Sequence, residues 1–123
     1  MAHSFVLQDW LLLESTVGTA ITQPENGWLD LSDYQDVTFY LLVNQASATT
    51  TISYQTSPDK TDSVFTNMVP AITMAASASP TVTEVLMLSA AVPLARFVRW
   101  QITGPNQWSA NFRIVVAANA PGL

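Results

Sequence analysis

Ala95-Arg96-Phe97-Val98-Arg99-Trp100-Gln101-Ile102-Thr103-Gly104 and Trp108-Ser109-Ala110-Asn111-Phe112-Arg113-Ile114-Val115-Val116 are the two runs whose reading decides the fold. Polar and apolar residues alternate in both. Val98, Trp100 and Ile102 share one side of the first run, and Arg96, Arg99 and Gln101 mark its polar positions. Trp108, Ala110, Phe112, Ile114 and Val116 share one side of the second, with Ser109, Asn111 and Arg113 on the other. A period of two is that of a pleated strand with one side turned to a core. Gly104-Pro105-Asn106-Gln107 lies between the runs and is made of turn residues, so a β-hairpin is expected.

The same signal recurs towards the N-terminus. Residues 81–89, 49–56 and 36–44 alternate in the same way, and Ile52 and Tyr54 are expected to point inward. Residues 64–68 and 71–74 are shorter strand candidates separated by Pro70. Residues 4–14 suit a strand or an amphipathic helix, since Leu11-Leu12-Leu13-Glu14 are good helix formers; the strand is favoured because the β-rich residues 15–22 follow without a helix stop. Gln23-Pro24-Glu25-Asn26-Gly27 is a turn, and the spacing of Trp28, Leu31 and Tyr34 suits one helical turn capped by Asp30 or Ser32. Short strands with turn signals between them predict an all-β fold: a single-domain β-sandwich of jelly-roll type over residues 1–123, with about eight antiparallel strands.

Composition narrows the role. Only 11% of residues are charged, where ~25% is usual. Charged groups are depleted from the centres of permanent interfaces because they are costly to desolvate, so this surface suits coverage by other subunits. Four basic residues and a net charge of −5 argue against nucleic acid and against anionic membrane surfaces. The absence of cysteine excludes disulfides and thiolate chemistry. Asp9 interrupts the apolar N-terminal run, no basic region precedes it, and no stretch is long enough to span a bilayer. Synthesis in the cytoplasm without a signal peptide is the expectation.

No residue pattern points to catalysis. His3 has no nucleophile beside it in sequence, and Asp9, Glu14 and Glu84 lie in strand-like segments without a further motif. Asp30, Asp33 and Asp36 recur every third residue; they suit turn capping, with calcium as the alternative. Asp59 and Asp62 flank Lys60 in an exposed loop. No cofactor or resident metal is expected. Arg96, Arg99 and Arg113 are expected to form one basic spot that pairs with aspartates of this chain or of a neighbouring subunit, since a guanidinium matches a carboxylate. Trp28, Tyr34 and Trp108 are candidates for stacking on sugar rings, with core packing as the other use of such residues.

Thr51-Ile52-Ser53-Tyr54-Gln55-Thr56-Ser57-Pro58-Asp59, Val64-Phe65 and Pro93-Leu94-Ala95-Arg96-Phe97-Val98-Arg99-Trp100 together resemble the second half of discoidin-like (galactose-binding-like) jelly rolls. That resemblance implies a carbohydrate-binding module. In size, low charge and abundance of small polar residues the chain also resembles the small accessory proteins of bacteriophage particles. This second resemblance implies a non-enzymatic capsid decoration or cement protein, located in the virion. Such a protein would form a homo-oligomer and contact the major capsid protein or another virion structural protein.

Overall fold

A chain with apolar residues at alternate positions must bury one side of every strand, and here two sheets do so against each other. The computed structural model describes residues 2–16, 20–68, 72–76, 81–86 and 94–119. Its strands are β1 (Ala2–Ser15), β2 (Ile21–Thr22), β3 (Leu29–Asp30), β4 (Asp36–Ala46), β5 (Thr50–Ser57), β6 (Thr66–Asn67), β7 (Ile72–Met74), β8 (Thr81–Leu86), β9 (Phe97–Thr103) and β10 (Trp108–Asn119). Single 3-10 turns occupy Glu25–Gly27 and Asp62–Val64. Pro70 and Ala71, the small-residue turn from 77 to 80, residues 87–93 and the tail from 120 lie outside the described residues.

One sheet runs β1-β10-β4-β8. The other runs β2-β9-β5-β6, with β3 also paired to β9 and β7 to β5. Every pairing is antiparallel. β2 and β3 are two pieces of one strand position, and so are β6 and β7, which leaves eight positions among the described residues. Pairing then joins first with eighth, second with seventh, third with sixth and fourth with fifth. That is a long hairpin rolled into two layers, the jelly-roll topology.

The expected hairpin between residues 95 and 116 does not form. β9 lies between β5 and the β2/β3 position, while β10 lies between β1 and β4 in the opposite sheet. Residues 104–107 carry the chain from one layer to the other. A hairpin and a cross-layer turn demand the same alternation, so the pattern alone does not separate them. Both strands still aim their large apolar side chains at one interior, where Trp100 meets Phe112 edge-on at 5.4 Å. The turn itself is built for close packing. A β-carbon on Gly104 would lie 2.8 Å from Thr50 Cγ2 and 2.9 Å from Trp108 Cδ1. Pro105 has no N–H to give a hairpin ladder.

The helical turn expected over Trp28, Leu31 and Tyr34 is also absent. The 3-10 turn comes earlier, and Leu29 and Asp30 pair with Val98 and Phe97. Sheet pairing outweighs a weak local preference. A tight turn remains: Tyr34 N donates to Leu31 O at 3.0 Å, and Ser32 N donates to Asp30 Oδ1 at 3.1 Å.

The core joins the layers through aromatic contacts. Phe39 of β4 stacks on Tyr54 of β5 at 3.9 Å, their planes 3° apart. Ile52 and Tyr54 are fully buried, as the alternation predicts. The Tyr54 hydroxyl has no hydrogen-bond partner among the described residues, and burial pushes its ionisation up. A buried unpartnered hydroxyl is unfavourable by about 1 kcal/mol. Tyr54→Phe is therefore expected to be neutral or up to about 1 kcal/mol stabilising in denaturant titrations. In the unfolded chain a phenol ionises at 10.0, whereas buried Tyr54 stays protonated. Ionisation of this group leaves stability unchanged below 10.0 and lowers it as pH rises from there towards the folded value. The phenylalanine variant should lack that alkaline slope.

Candidate functional site

β1 ends one sheet and β2 and β3 end the other, so the sandwich has an open side there. β1 departs from regular register twice, between Val6 and Gln8 and between Gln8 and Leu11. The first bulge leaves Leu7 without a cross-strand partner. Its carbonyl is taken instead by Gln23, whose Nε2 donates to Leu7 O at 2.7 Å and to Gly27 O at 2.9 Å. Gln23 Oε1 accepts from Trp100 N at 3.3 Å. One buried amide thus stitches β1 of one layer to β9 of the other. Gln23 also holds Trp28, whose Nε1 donates to Gln23 O at 2.8 Å. A cleft of about 630 Å³ opens beside this stitch, lined by Val6, Gln8, Asp9, Leu11, Asn26 and Trp28 among others.

Arg99 anchors the outer side of the second sheet. Its side chain is only 5% exposed. Nη1 donates to Asp62 Oδ1 at 2.6 Å and Nε donates to Gln55 Oε1 at 2.8 Å. The guanidinium lies 3.9 Å from the Phe65 ring centroid and 5.1 Å from that of Trp28, and the two rings meet edge-on at 4.7 Å. Gln55 Nε2 donates on to Asn67 Oδ1 at 3.0 Å, and Gln101 Nε2 donates to Thr22 Oγ1 at 2.9 Å. These contacts fold residues 58–67 over β5 and β9. Asp62 is 83% exposed, so its side of the ion pair is screened by water. Arg99→Ala removes the packing on two rings and leaves Gln55 Oε1 without its donor; a loss of about 2–4 kcal/mol is expected. Asp62→Asn should cost less than about 1 kcal/mol. Parallel denaturant titrations of the two variants measure this asymmetry.

The other arginines lie apart. Arg96 precedes β9, and its Nη2 donates to Asp30 Oδ2 at 3.0 Å. The guanidinium holds the Asp30 carboxyl below its ordinary value, and the Ser32 amide adds to this. Asp30 therefore favours the fold above the ordinary value of 3.8, and this is lost as pH falls through the lower folded value. Arg96→Ala should reduce the acid-side slope of a melting profile. Arg113 sits on β10 in the opposite sheet, with Nε 3.4 Å from Asp9 Oδ1. The three arginines consequently form no single spot: each faces a different aspartate of this chain, and they are divided between the two sheets.

The candidate aromatics also separate. Trp108 is buried at 4% exposure in the core. Tyr34 packs edge-on against Phe5 at 5.3 Å and His3 at 5.7 Å. Trp28 alone of the three lines the cleft. Asp30, Asp33 and Asp36 do not converge: among the described residues no group of three acidic, histidine or cysteine side chains could hold a metal ion. Asp30 is engaged by Arg96 and by the Ser32 amide, which is the capping use. Asp9 and Glu14 are exposed on β1, and Glu84 lies on β8. No helix among the described residues is long and apolar enough to cross a membrane.

Two features escaped the sequence. Gln23 reads as a turn residue, because its partners Leu7 and Trp100 are 16 and 77 residues away. The Arg99–Asp62 pair spans 37 residues. The usable signal was Arg99 itself, a cation set between Val98 and Trp100 in a strongly apolar strand.

No protein-family model and no curated protein matches the sequence. Among solved structures, PBSX exported protein XepA superposes with a TM-score of 0.60 at 15% identity, over 98% of this chain and 38% of that one. The structure of infectious bursal disease virus, Gt strain, gives a TM-score of 0.52 at 12% identity, over 97% of this chain and 33% of that one. Its Gx strain gives 0.50 at 13% identity, over 99% and 33%. At these identities the likeness is one of fold. The chain spans well under two thirds of the length of each.

Proposed function

We propose that this jelly roll is a structural component of a virus-like particle: a decoration or cement protein that stabilises a lattice by contacting copies of itself and the major capsid protein. The observation that carries the reading is the disposition of charge. Arg96, Arg99 and Arg113 are three of the four basic residues in the chain, and each is turned to an aspartate of the same chain. Only 11% of all residues are charged, and with these cations engaged inside the chain such a surface suits permanent contact, where desolvating ions is unfavourable. The same fold in infectious bursal disease virus and in a PBSX exported protein is in keeping with such a role. Arg96 and Arg113, both partly exposed and on opposite sheets, would give polar register at the contacts, and Arg99 would stiffen the sheet beside Arg96. The site of action is the virion, after synthesis in the host cytoplasm. The test is density-gradient sedimentation of particles from cells that carry the gene, with this chain followed by mass spectrometry. Co-sedimentation with particles supports the reading, and recovery only at the top of the gradient ends it.

A second reading is a carbohydrate-binding module of the galactose-binding-like type. The cleft favours it, because Trp28 lies beside Gln8, Asp9 and Asn26. An aromatic surface next to amide and carboxylate groups suits a sugar ring and its hydroxyls. A glycan array decides it. Binding that disappears in Trp28→Ala favours the module, and an empty array removes it.

A further inference from the structure

We propose that the outer face of the β1-β10-β4-β8 sheet is the surface on which a second copy of this chain packs, sheet against sheet about a two-fold axis. This rests on the reading of the chain as a self-associating structural protein, and it names the surface and the occupant.

The two outer faces are treated differently by the fold. That of the β9 and β5 sheet is covered by the chain itself, through Arg99, Phe65 and residues 58–67. That of the other sheet carries apolar groups with no such cover among the described residues. Phe112, Ile114, Phe39 and Leu41 point inward, so their strand neighbours point out. Register places Val6 beside Val115 and Val115 beside Tyr40, a row across three strands. Leu42 sits beside Arg113 and Leu12 beside Asn111. Val6 is 42% exposed, Trp10 50% and Leu12 60%. Large apolar groups gathered at such exposure mark an interaction surface rather than ordinary scatter.

The occupant follows from charge and area. The contact between Arg113 and Asp9 brings one cation and one anion of this region to 3.4 Å, where they offset each other. Glu14 and Asp36 stand at its two ends and Glu84 on the edge strand β8, so the centre of the face carries no net charge. A centre of that kind needs no oppositely charged partner and is complementary to itself, as an isologous interface must be. At ~4.8 Å between strands and ~3.3 Å per residue, β1, β10 and β4 present roughly 500 Å² in plan. Side-chain relief brings this towards the ~800 Å² that each partner buries in a standard interface. Edge-to-edge pairing through β1 is the competing geometry. The two bulges bend that edge away from a flat ladder, which is how natural sheets discourage such pairing.

Light scattering coupled to size exclusion, on the full chain from ~1 to ~200 µM, tests the proposal. The wild type should reach twice the chain mass. The double variant Trp10→Lys/Leu12→Lys should stay at the chain mass throughout. Val64→Lys, which alters an exposed apolar residue over the other sheet, should still dimerise. Association that survives the double variant, or that Val64→Lys abolishes equally, overturns the assigned surface and leaves the structural role standing. A wild type that remains at the chain mass removes self-association, and the proposal with it. Leu12→Cys gives a readout that does not depend on the lysine variants folding, since the chain has no native cysteine. Its thiol should react with maleimide at least ~10-fold more slowly at the dimeric concentration than at high dilution. Equal rates overturn the proposal.

Discussion

Trp100→Ala should lower stability by about 4 kcal/mol, the largest single effect expected in this protein. Trp100 is buried in the core and touches both layers. Its ring meets Phe112 of the opposite sheet edge-on, and its Nε1 donates to Gln8 Oε1 at 3.2 Å. Truncation leaves a cavity that sheets fixed at both ends cannot close, so the transfer loss and the cavity loss add. At roughly 4 °C per kcal/mol for a domain of this size, the melting temperature should fall by about 15 °C. Trp100→Phe keeps most of the volume and loses the indole bond, so a cost of about 1–2 kcal/mol is expected. Equal losses for the two variants would show that the hydrogen bond, not the packing, dominates. Thermal melts and denaturant titrations of both variants make the comparison.

Gln23→Leu should cost about 3 kcal/mol although it adds apolar bulk to a buried position. Three backbone groups lose their partner at once: the carbonyls of Leu7 and Gly27 and the amide of Trp100. Each buried group left unpaired is unfavourable by about 1–3 kcal/mol, reduced where water reaches it. Gln23→Glu is the sharper variant because its shape is unchanged. It replaces a donor that faces two carbonyl oxygens with an acceptor. The protonated acid can still donate to one of them, so the folded state should raise the glutamate pKa. A carboxyl raised on folding contributes stability at low pH that is lost as pH rises. Gln23→Glu should therefore recover stability on acidification relative to Gln23→Leu. A flat difference between the two across the acid range would show that water, not the side chain, satisfies those carbonyls.

Much of the architecture was legible because alternation is a local signal. Val37, Phe39, Leu41 and Val43 declare their strand and its buried side without help from the rest of the chain, and so do Ile52 and Tyr54. Strand partners are not local. The runs around Trp100 and Phe112 show the same period whether they pair with each other or face each other across the interior. Alternation with a short Gly/Pro/Asn turn favours the nearer partner, and the fold uses the farther one. The turn near Trp28 failed for a related reason. Leu29 and Asp30 gain a ladder with β9, and an isolated helical turn has nothing comparable to offer. Arg96, Arg99 and Arg113 each meet a carboxylate. Which carboxylate each reaches depends on folding across 37 residues for Arg99 and 66 for Arg96. Trp10 and Leu12 were read as ordinary members of a strand, because exposure emerges only once the neighbouring strands are in place.

β1 pairs with β10 from Ala2 opposite Asn119 to Ser15 opposite Trp108. While the chain is being translated, β1 is made before β10 and must wait for all the strands between them before its described neighbour exists. Until then an apolar segment bearing Leu7, Leu11 and Leu13 has no native shelter. Non-local topology of this kind slows folding and prolongs exposure to wrong partners. The nascent chain should consequently engage holdase chaperones through β1, and ribosome profiling of chaperone-bound nascent chains would see that engagement end only once β10 has emerged.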